Sequence, residues 1–393
     1  MRKPTSFVVL AILAVLTLVM SACSGDGDGA SPSAADLGLC RAIGDATAPE
    51  TPAPDAADPG SSDLQIGLVT DVGTLDDRNF NQYSWEGALR GAATIGAPEP
   101  QSVITTESSE YDANIDSFVS QNYDVVVTVG FALGEATLAA AEANPDVHFI
   151  GVDQFQAGDD FIAGAGLPNY ESVIFAEAQA GYLAGIAAAS ISESGEVAAI
   201  GGSGTIPPVV NYARGFENGV HSVNADATVH ISYISDDLTV AFNDPTAGKT
   251  FADQFLQQNG DVDVMFQIAG KTGNGVLQSV EENGIYGLGV DVDQWISTPD
   301  SAECIVTSAE KKLTLAVSEG IIAMGDDAPR SGNVPYDASN EGIGLSPYYQ
   351  FADLIDSETQ AAIDDAFSQM AAGELDPCMP SGLCYAGEAD PGT

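Results

Sequence analysis

Positive charge is what this 393-residue sequence most lacks: 11 Lys and Arg stand against 57 Asp and Glu, a formal net charge of −46. So few cations cannot build a phosphate-reading footprint, and the acidic excess repels DNA and RNA, so nucleic acid is excluded as a partner. An anionic lipid surface is excluded as an electrostatic partner for the same reason. Histidine is nearly missing as well. His148, His221 and His230 stand apart from one another and from every cysteine, so no metal-ligand spacing forms and no metal is expected. Nucleotide-cofactor motifs are absent. GGSGTIPP at 201–208 fails the G-x-G-x-x-G pattern and carries prolines at the helix start, and GKT at 248–250 lacks an upstream glycine-rich loop. No cofactor is expected. There is no G-x-S-x-G elbow. A hydrolase using two carboxylates is the enzyme class left open, and only because Asp is abundant. No catalytic residue is assigned. After residue 20 no apolar run reaches membrane length.

What is present is an ordinary globular chain. Hydrophobic residues make up 45% of it, spread too evenly for wholesale disorder. The length supports one large domain or two medium ones. The acidic excess keeps the protein soluble but strains its compact state by self-repulsion, which salt screens, so the composition suits saline surroundings. It names no substrate.

Arg2 and Lys3 precede one apolar run, FVVLAILAVLTLVM at 7–20. That run is short for a span and fits a signal-peptide core. LVMSAC at 18–23 resembles a bacterial lipobox, with Met20 where Leu is more usual. Residues 1–22 are therefore expected to be a lipoprotein signal peptide, with the lipid on the Cys23 thiol. A single acyl chain anchors only marginally, and further chains make the attachment stable. The expected location is the extracytoplasmic face of the cell membrane. Residues 23–62 read as a linker of Ser, Gly, Asp, Ala and Pro, interrupted by LGLC at 37–40. Four more cysteines follow Cys23: Cys40, Cys304, Cys378 and Cys384. An exported compartment permits disulfides, and four cysteines allow three pairings. The short MPSGL loop favours Cys378 with Cys384, which leaves Cys40 with Cys304; reduced thiols are the alternative.

The body alternates strand and helix. LQIGLVT, SVITTE, YDVVVTVG and VHFIGVD are strand runs separated by helical stretches, and the rhythm recurs after residue 190 in EVAAIGG, TVHISYI, VDVMFQIAG and IYGLGVDVD. Such runs argue parallel sheets covered on both faces. The expected fold class is α/β, with two doubly wound lobes and a ligand cleft between them. The first part of lobe 1 is placed at 63–175, lobe 2 at 176–293, and a return crossover with the rest of lobe 1 and a tail at 294–393. Polar or glycine residues follow the strand runs: Asp71, Gly130 with Phe131, Asp153, Gly270, then Asp291 and Asp293. Open α/β sheets bind ligands at these carboxyl ends.

IGLVTDVGTLDDRNFNQYSWEG at 66–87 resembles the opening signature of the basic membrane protein (PnrA-like) family, the substrate-binding lipoproteins of ABC importers, whose members mostly bind purine nucleosides. VVVTVGFALGEA with FIGVDQ, FNDPTAGKTFADQ, IAGKTGNGV with GVDVDQW, and VTSAEKKL follow in the family's order. The resemblance covers roughly 63–378. It implies a type I periplasmic-binding fold and no enzyme activity. It also implies site roles. Phe80 and Phe242 would stack on the two faces of a base. Asn81 and Asp153 would meet its edge. Asp71 and Asp291 would accept from ribose hydroxyls. Gly270 would admit close backbone approach, and Phe131 would join the wall. Lys311 would reach the ligand or hold a lobe-closing ion pair, with Lys312 the competing lysine. The implied partners are a purine nucleoside and ABC permease subunits, with the protein itself a monomer. Two alternatives stand beside this: a sensor for a sugar or other small polar solute, and a nucleoside hydrolase. The chain departs from the family pattern at Thr74, where a glycine is frequent, and in its Cys-bearing leash and CMPSGLC tail.

Overall fold

The computed structural model describes residues 38–48, 58, 60–156, 166–379, 384 and 389–393. The signal peptide, Cys23 and most of the linker lie outside the described residues.

Twelve strands form two six-stranded sheets. The first holds β1 (Ile66–Val72), β2 (Gln101–Thr105), β3 (Val125–Val129), β4 (His148–Val152), β5 (Tyr170–Phe175) and β11 (Gly332–Tyr336). The second holds β6 (Glu196–Gly201), β7 (Thr228–Tyr233), β8 (Val264–Ile268), β9 (Tyr286–Asp291), β10 (Ile305–Lys311) and β12 (Ile343–Leu345). The first runs β11-β5-β4-β3-β1-β2 and the second β12-β10-β9-β8-β6-β7, so the two halves share one order. All pairings are parallel except β10 with β12. Strands such as VVVTV and VMFQI are buried along their whole length, as expected of parallel strands covered by helices on both faces. This is the two-lobed α/β fold expected from the sequence.

The expected return to lobe 1 at 294 needs correction. β10 pairs with β9, Ser308 opposite Gly289, and β12 pairs with β10, so both belong to the second sheet. The reason is burial. IVTSA in β10 is buried throughout and needs neighbours on both sides, which β9 and β12 supply. The chain therefore crosses between the sheets three times: after β5, after β10 and between β11 and β12.

Two helix pairs sit at these crossings. The Leu313–Gly325 helix follows β10 but packs on the Phe80–Ile95 helix of the first lobe, where a Cβ on Gly91 would stand 2.8 Å from Cβ of Ile321. The Glu177–Ile191 helix, apolar around almost its whole circumference, lies against the Pro207–Val223 helix. Their backbones nearly touch. A Cβ on Gly181 would stand 2.2 Å from the Tyr212 carbonyl oxygen, and one on Gly219 would stand 2.0 Å from that of Tyr182.

Both disulfides raised from the sequence spacing are present, Cys40–Cys304 and Cys378–Cys384. The first fastens the leash to the second lobe, where the Leu39 and Arg41 N–H groups also donate to the Gly284 and Glu303 carbonyls at 3.0 and 2.8 Å. The tail ends on the same lobe, with Asp390 held by Arg214 at 2.6 Å and the Thr393 N–H donating to Ile231.

The glycine contacts generate a stability prediction. Gly215→Ala would place a methyl 2.1 Å from the Ala178 carbonyl oxygen, which forces the helices apart. The expected loss is about 3 kcal/mol, the upper end for overpacking. Urea unfolding measures it, and an unchanged midpoint would show that the pair tolerates separation.

Candidate functional site

The site is assembled from strand ends. β1 delivers Asp71, whose Oδ1 accepts from the Tyr111 hydroxyl and, at 2.6 Å, from the Val72 N–H. Gly130, at φ 119°, ends β3 beside it. A Cβ there would lie 2.6 Å from the Asp71 Cβ, so only glycine leaves the aspartate room. Burial pushes the Asp71 carboxyl above its ordinary range, and the Tyr111 bond partly opposes this. Asp77 then caps the Phe80–Ile95 helix, accepting from the N–H groups of Asn79 (2.8 Å), Asn81 (2.8 Å) and Gln82 (3.1 Å). This cap fixes the helix start that presents Phe80 and Asn81. Asn81 Oδ1 is buried with no protein partner.

The second lobe brings Phe242 from the short Leu238–Asn243 helix. Its ring lies over Gly202, where a Cβ would stand 2.4 Å from Cε1. Gly270, at φ 51°, opens the Gly270–Asn283 helix close to it.

Asp153 and Asp291 occupy equivalent places, one just past β4 and the other ending β9. Both hold left-handed backbone, φ 59° and 65°. That region is tolerated by Asp but costs energy, and such strain concentrates where side chains are aimed for function. Here both carboxylates aim at Lys311. The Lys311 ammonium lies 2.5 Å from Asp153, 3.2 Å from Glu177 and 3.8 Å from Asp291, with its side chain 2% exposed. The rings of Phe80, Phe175 and Tyr212 stand 5.4–5.5 Å from it. Burial works against the ammonium, but the three carboxylates outweigh it and hold its pKa above the usual lysine value. Desolvation raises all three acids in turn: Asp153 upward, Glu177 to about 7 and Asp291 to about 6. Lys312 turns away and pairs with Glu310 at 2.6 Å. Lys311 is thus the lysine that faces the cleft.

All nine residues assigned from the resemblance line one cleft between the lobes: Asp71, Phe80, Asn81, Phe131, Asp153, Phe242, Gly270, Asp291 and Lys311. Its volume is about 770 Å³, open mouth included. Asp293 is not among them; it caps the Gln294–Ser297 turn and accepts from the Tyr349 hydroxyl. Sequence reasoning missed three contributors. Tyr212 and Asp77 also line the wall, and Glu177 braces Lys311 from behind. Glu177 had a legible signal, a lone acid opening an apolar, small-residue helix. Tyr212 had none, because an aromatic on an amphipathic helix reads as core. Asp77 was hidden among other acids.

The lobes meet over this cleft. Lys271 Nζ donates to Thr74 Oγ1 at 2.9 Å, Asn274 Nδ2 donates to the Asp77 carbonyl at 3.1 Å, and Arg78 reaches Asp300 at 3.4 Å. Thr74, the departure from the family pattern, thereby supplies an interlobe hydroxyl. Among the described residues no group of His, Cys, Asp and Glu is arranged to hold a metal ion.

Two α/β lobes closing on a polar cleft define the architecture of a solute-binding protein. Residues 65–371 match the family of ABC transporter substrate-binding proteins described as PnrA-like (Bmp), and the chain belongs to that family. It is 28% identical over 321 residues to the ABC transporter nucleoside-binding protein BmpA of Lactococcus lactis, covering 77% of this chain and 87% of that protein. It is 27% identical over 334 residues to the CD4+ T-cell-stimulating antigen of Listeria monocytogenes, covering 80% and 88%. Basic membrane protein A of Borreliella burgdorferi is 27% identical over 264 residues, covering 66% and 71%. An ABC solute-binding protein from Aeropyrum pernix superposes with a TM-score of 0.69 at 24% identity, over 80% of this chain and 92% of that one, which shows the shared fold. The family consists of substrate-binding proteins of ABC transporters and not enzymes, so the hydrolase alternative falls away.

The Lys311 cluster generates a second prediction. Lys311→Met leaves three buried carboxylates without their cation, and removing one partner of a buried pair costs about 3–5 kcal/mol. The loss is expected in full at pH 8. It shrinks at pH 5, below the midpoints near 7 and 6 of Glu177 and Asp291, because neutral carboxyls need no partner. Urea unfolding at both pH values decides it; an equal loss at each would separate the destabilisation from charge.

Proposed function

We propose that the cleft binds a purine nucleoside (adenosine, guanosine or inosine) and that the protein delivers it to an ABC permease, working as a monomer. The observation that carries this reading is the composition of the cleft. Phe80 and Phe242 enter from opposite lobes, and two buried acceptors in the same cleft, Asn81 Oδ1 and Asp153 Oδ1, have no protein partner. A flat heteroaromatic base suits two ring walls, since stacking and apolar burial accept either purine type. Its exocyclic amino or ring N–H groups suit unpartnered acceptors, which are costly to bury unsatisfied. Asp71 and Asp291 suit a ribose diol, because an ionised carboxylate only accepts. The same acids disfavour a phosphate, which would face Asp71, Asp77, Asp153 and Asp291. The Lactococcus relative, a nucleoside-binding protein by name, points the same way.

The lipid on Cys23 and the extracytoplasmic location belong to the same proposal. Their support is the LVMSAC stretch and the apolar run before it. No helix among the described residues is long and apolar enough to cross a membrane. Cys23→Ser is expected to move the protein from the membrane fraction to the soluble exported fraction in its own host; wild type already found there would defeat the anchor.

Calorimetry with adenosine, guanosine and inosine tests the ligand. At least one is expected to bind ligand-free protein. Phe80→Ala and Phe242→Ala should each weaken that binding roughly five- to hundredfold, since a stacked base is worth about 1–3 kcal/mol. No heat with any of the three, alongside heat with arabinose or galactose, would move the assignment to a sugar.

A further inference from the structure

The residue that calls for explanation is Glu177. It opens the helix of the first crossing, is 3% exposed and does not line the ligand cleft. A carboxylate is nonetheless kept there, one residue from the glycine-tight helix contact, in a run otherwise of small and apolar side chains. Its contacts run to the cleft from behind. Oε1 lies 3.2 Å from the Lys311 ammonium, and Oε2 accepts from Asn211 Nδ2 at 3.4 Å.

The charges around it do not balance. Three carboxylates, from the first lobe (Asp153), the crossing (Glu177) and the second lobe (Asp291), surround one ammonium within 3.8 Å. Tyr212 stands over the same ammonium, Asp337 borders the cavity behind Glu177, and Glu310 on β10 is drawn to Lys312 instead. Among the described residues no second cation reaches the group. In a desolvated site like charges this close resist ionising together, so as pH falls the cluster takes up protons above the ordinary carboxylate range.

We propose that Glu177 is a positioning residue of the ligand site: acting through Lys311, it sets the charge that Asp153 and Asp291 present to the ligand. This rests on the reading of the cleft as the ligand site. When Glu177 is ionised it draws the ammonium toward itself, and the two cleft aspartates are less compensated. When Glu177 is neutral, Lys311 serves those aspartates alone and keeps them ionised to lower pH. A ligand hydroxyl that donates to Asp291 needs that carboxylate ionised, so binding has an acid limb set by Asp291, and Glu177, which takes its proton first, adds a separate step above that limb. Burial, opposed by the Lys311 ammonium, places Glu177 near 7 and Asp291 near 6.

The test is adenosine affinity from pH 5 to 8, a range in which adenosine itself stays neutral. Wild type should change affinity in two steps as pH falls, roughly threefold near 7 as Glu177 takes its proton and then a full loss through about 6. Glu177→Gln keeps the shape and the Asn211 contact but removes the competing charge. It should abolish the step near 7 and leave the limb near 6 in place, so that variant and wild type differ at pH 8 and meet at pH 6. A merely structural role would lower affinity equally at every pH and keep the step near 7, and that outcome overturns the proposal. If adenosine does not bind, the nucleoside reading fails. If the variant does not fold, the limb cannot be compared. In either case wild-type protein labelled at its glutamate carboxyl carbons decides: one signal titrating near pH 7 supports the inference, and all midpoints below about 5.5 overturn it.

Discussion

One ammonium group organises the centre of this molecule. Lys311 ends the strand that leads out of the second lobe, and its partners come from three separate parts of the chain: Asp153 beyond β4, Glu177 on the first crossing and Asp291 at the end of β9. Burying a lone lysine there would drive off its proton. Burying three carboxylates without it would drive theirs on. Together they are tolerable, because each term that desolvation makes unfavourable is opposed by a partner at short range. The pair with Asp153 spans the two sheets, so the electrostatics of the first crossing and of the ligand wall are one system.

That concentration of cation matters more in a chain with so few. Arg41, Arg78, Arg214, Lys249, Lys271, Lys311, Lys312 and Arg330 all stand in ion pairs. The exposed ones contribute little each and are screened by salt. The two least exposed, Lys311 and Arg214, with side chains 2% and 6% exposed, join parts of the chain that would otherwise separate, the two lobes in one case and the tail and second lobe in the other. A chain with a net charge of −46 gains from salt through weaker repulsion, while these buried pairs lose little.

Much of this was legible in the sequence. β-branched runs followed by Asp or Gly gave the strands and their ligand-facing ends, because burial on both faces removes alternation and the chain must turn at the carboxyl end. Phe80, Phe242 and Asp153 were legible through motif order. What stayed hidden was long-range. Whether β10 belongs to the first or second sheet depends on hydrogen bonds to Gly289 and Val290, which no local pattern encodes. Tyr212 looks like any core aromatic until the opposite lobe is placed against it. The Lys311–Lys312 ambiguity was likewise a matter of which way a strand faces, and one residue of register decides it.

The glycines tie the packing to the chemistry. Gly215 faces the backbone of Ala178, the residue after Glu177, and Gly181 faces the carbonyl of Tyr212. A backbone-to-backbone helix contact therefore falls beside the two side chains that flank Lys311 from behind and from the second lobe. Side chains on loops would hold such groups to within a loop's freedom. Two helices locked backbone to backbone hold them to the tolerance of a packed core, which is far smaller. The spacing of Glu177 from Tyr212, and so the position of the ammonium between them, is set by the absence of a methyl group. In this chain the small residues of an apolar helix, which suggest only packing when read alone, are a condition for the cluster of charges at the ligand wall.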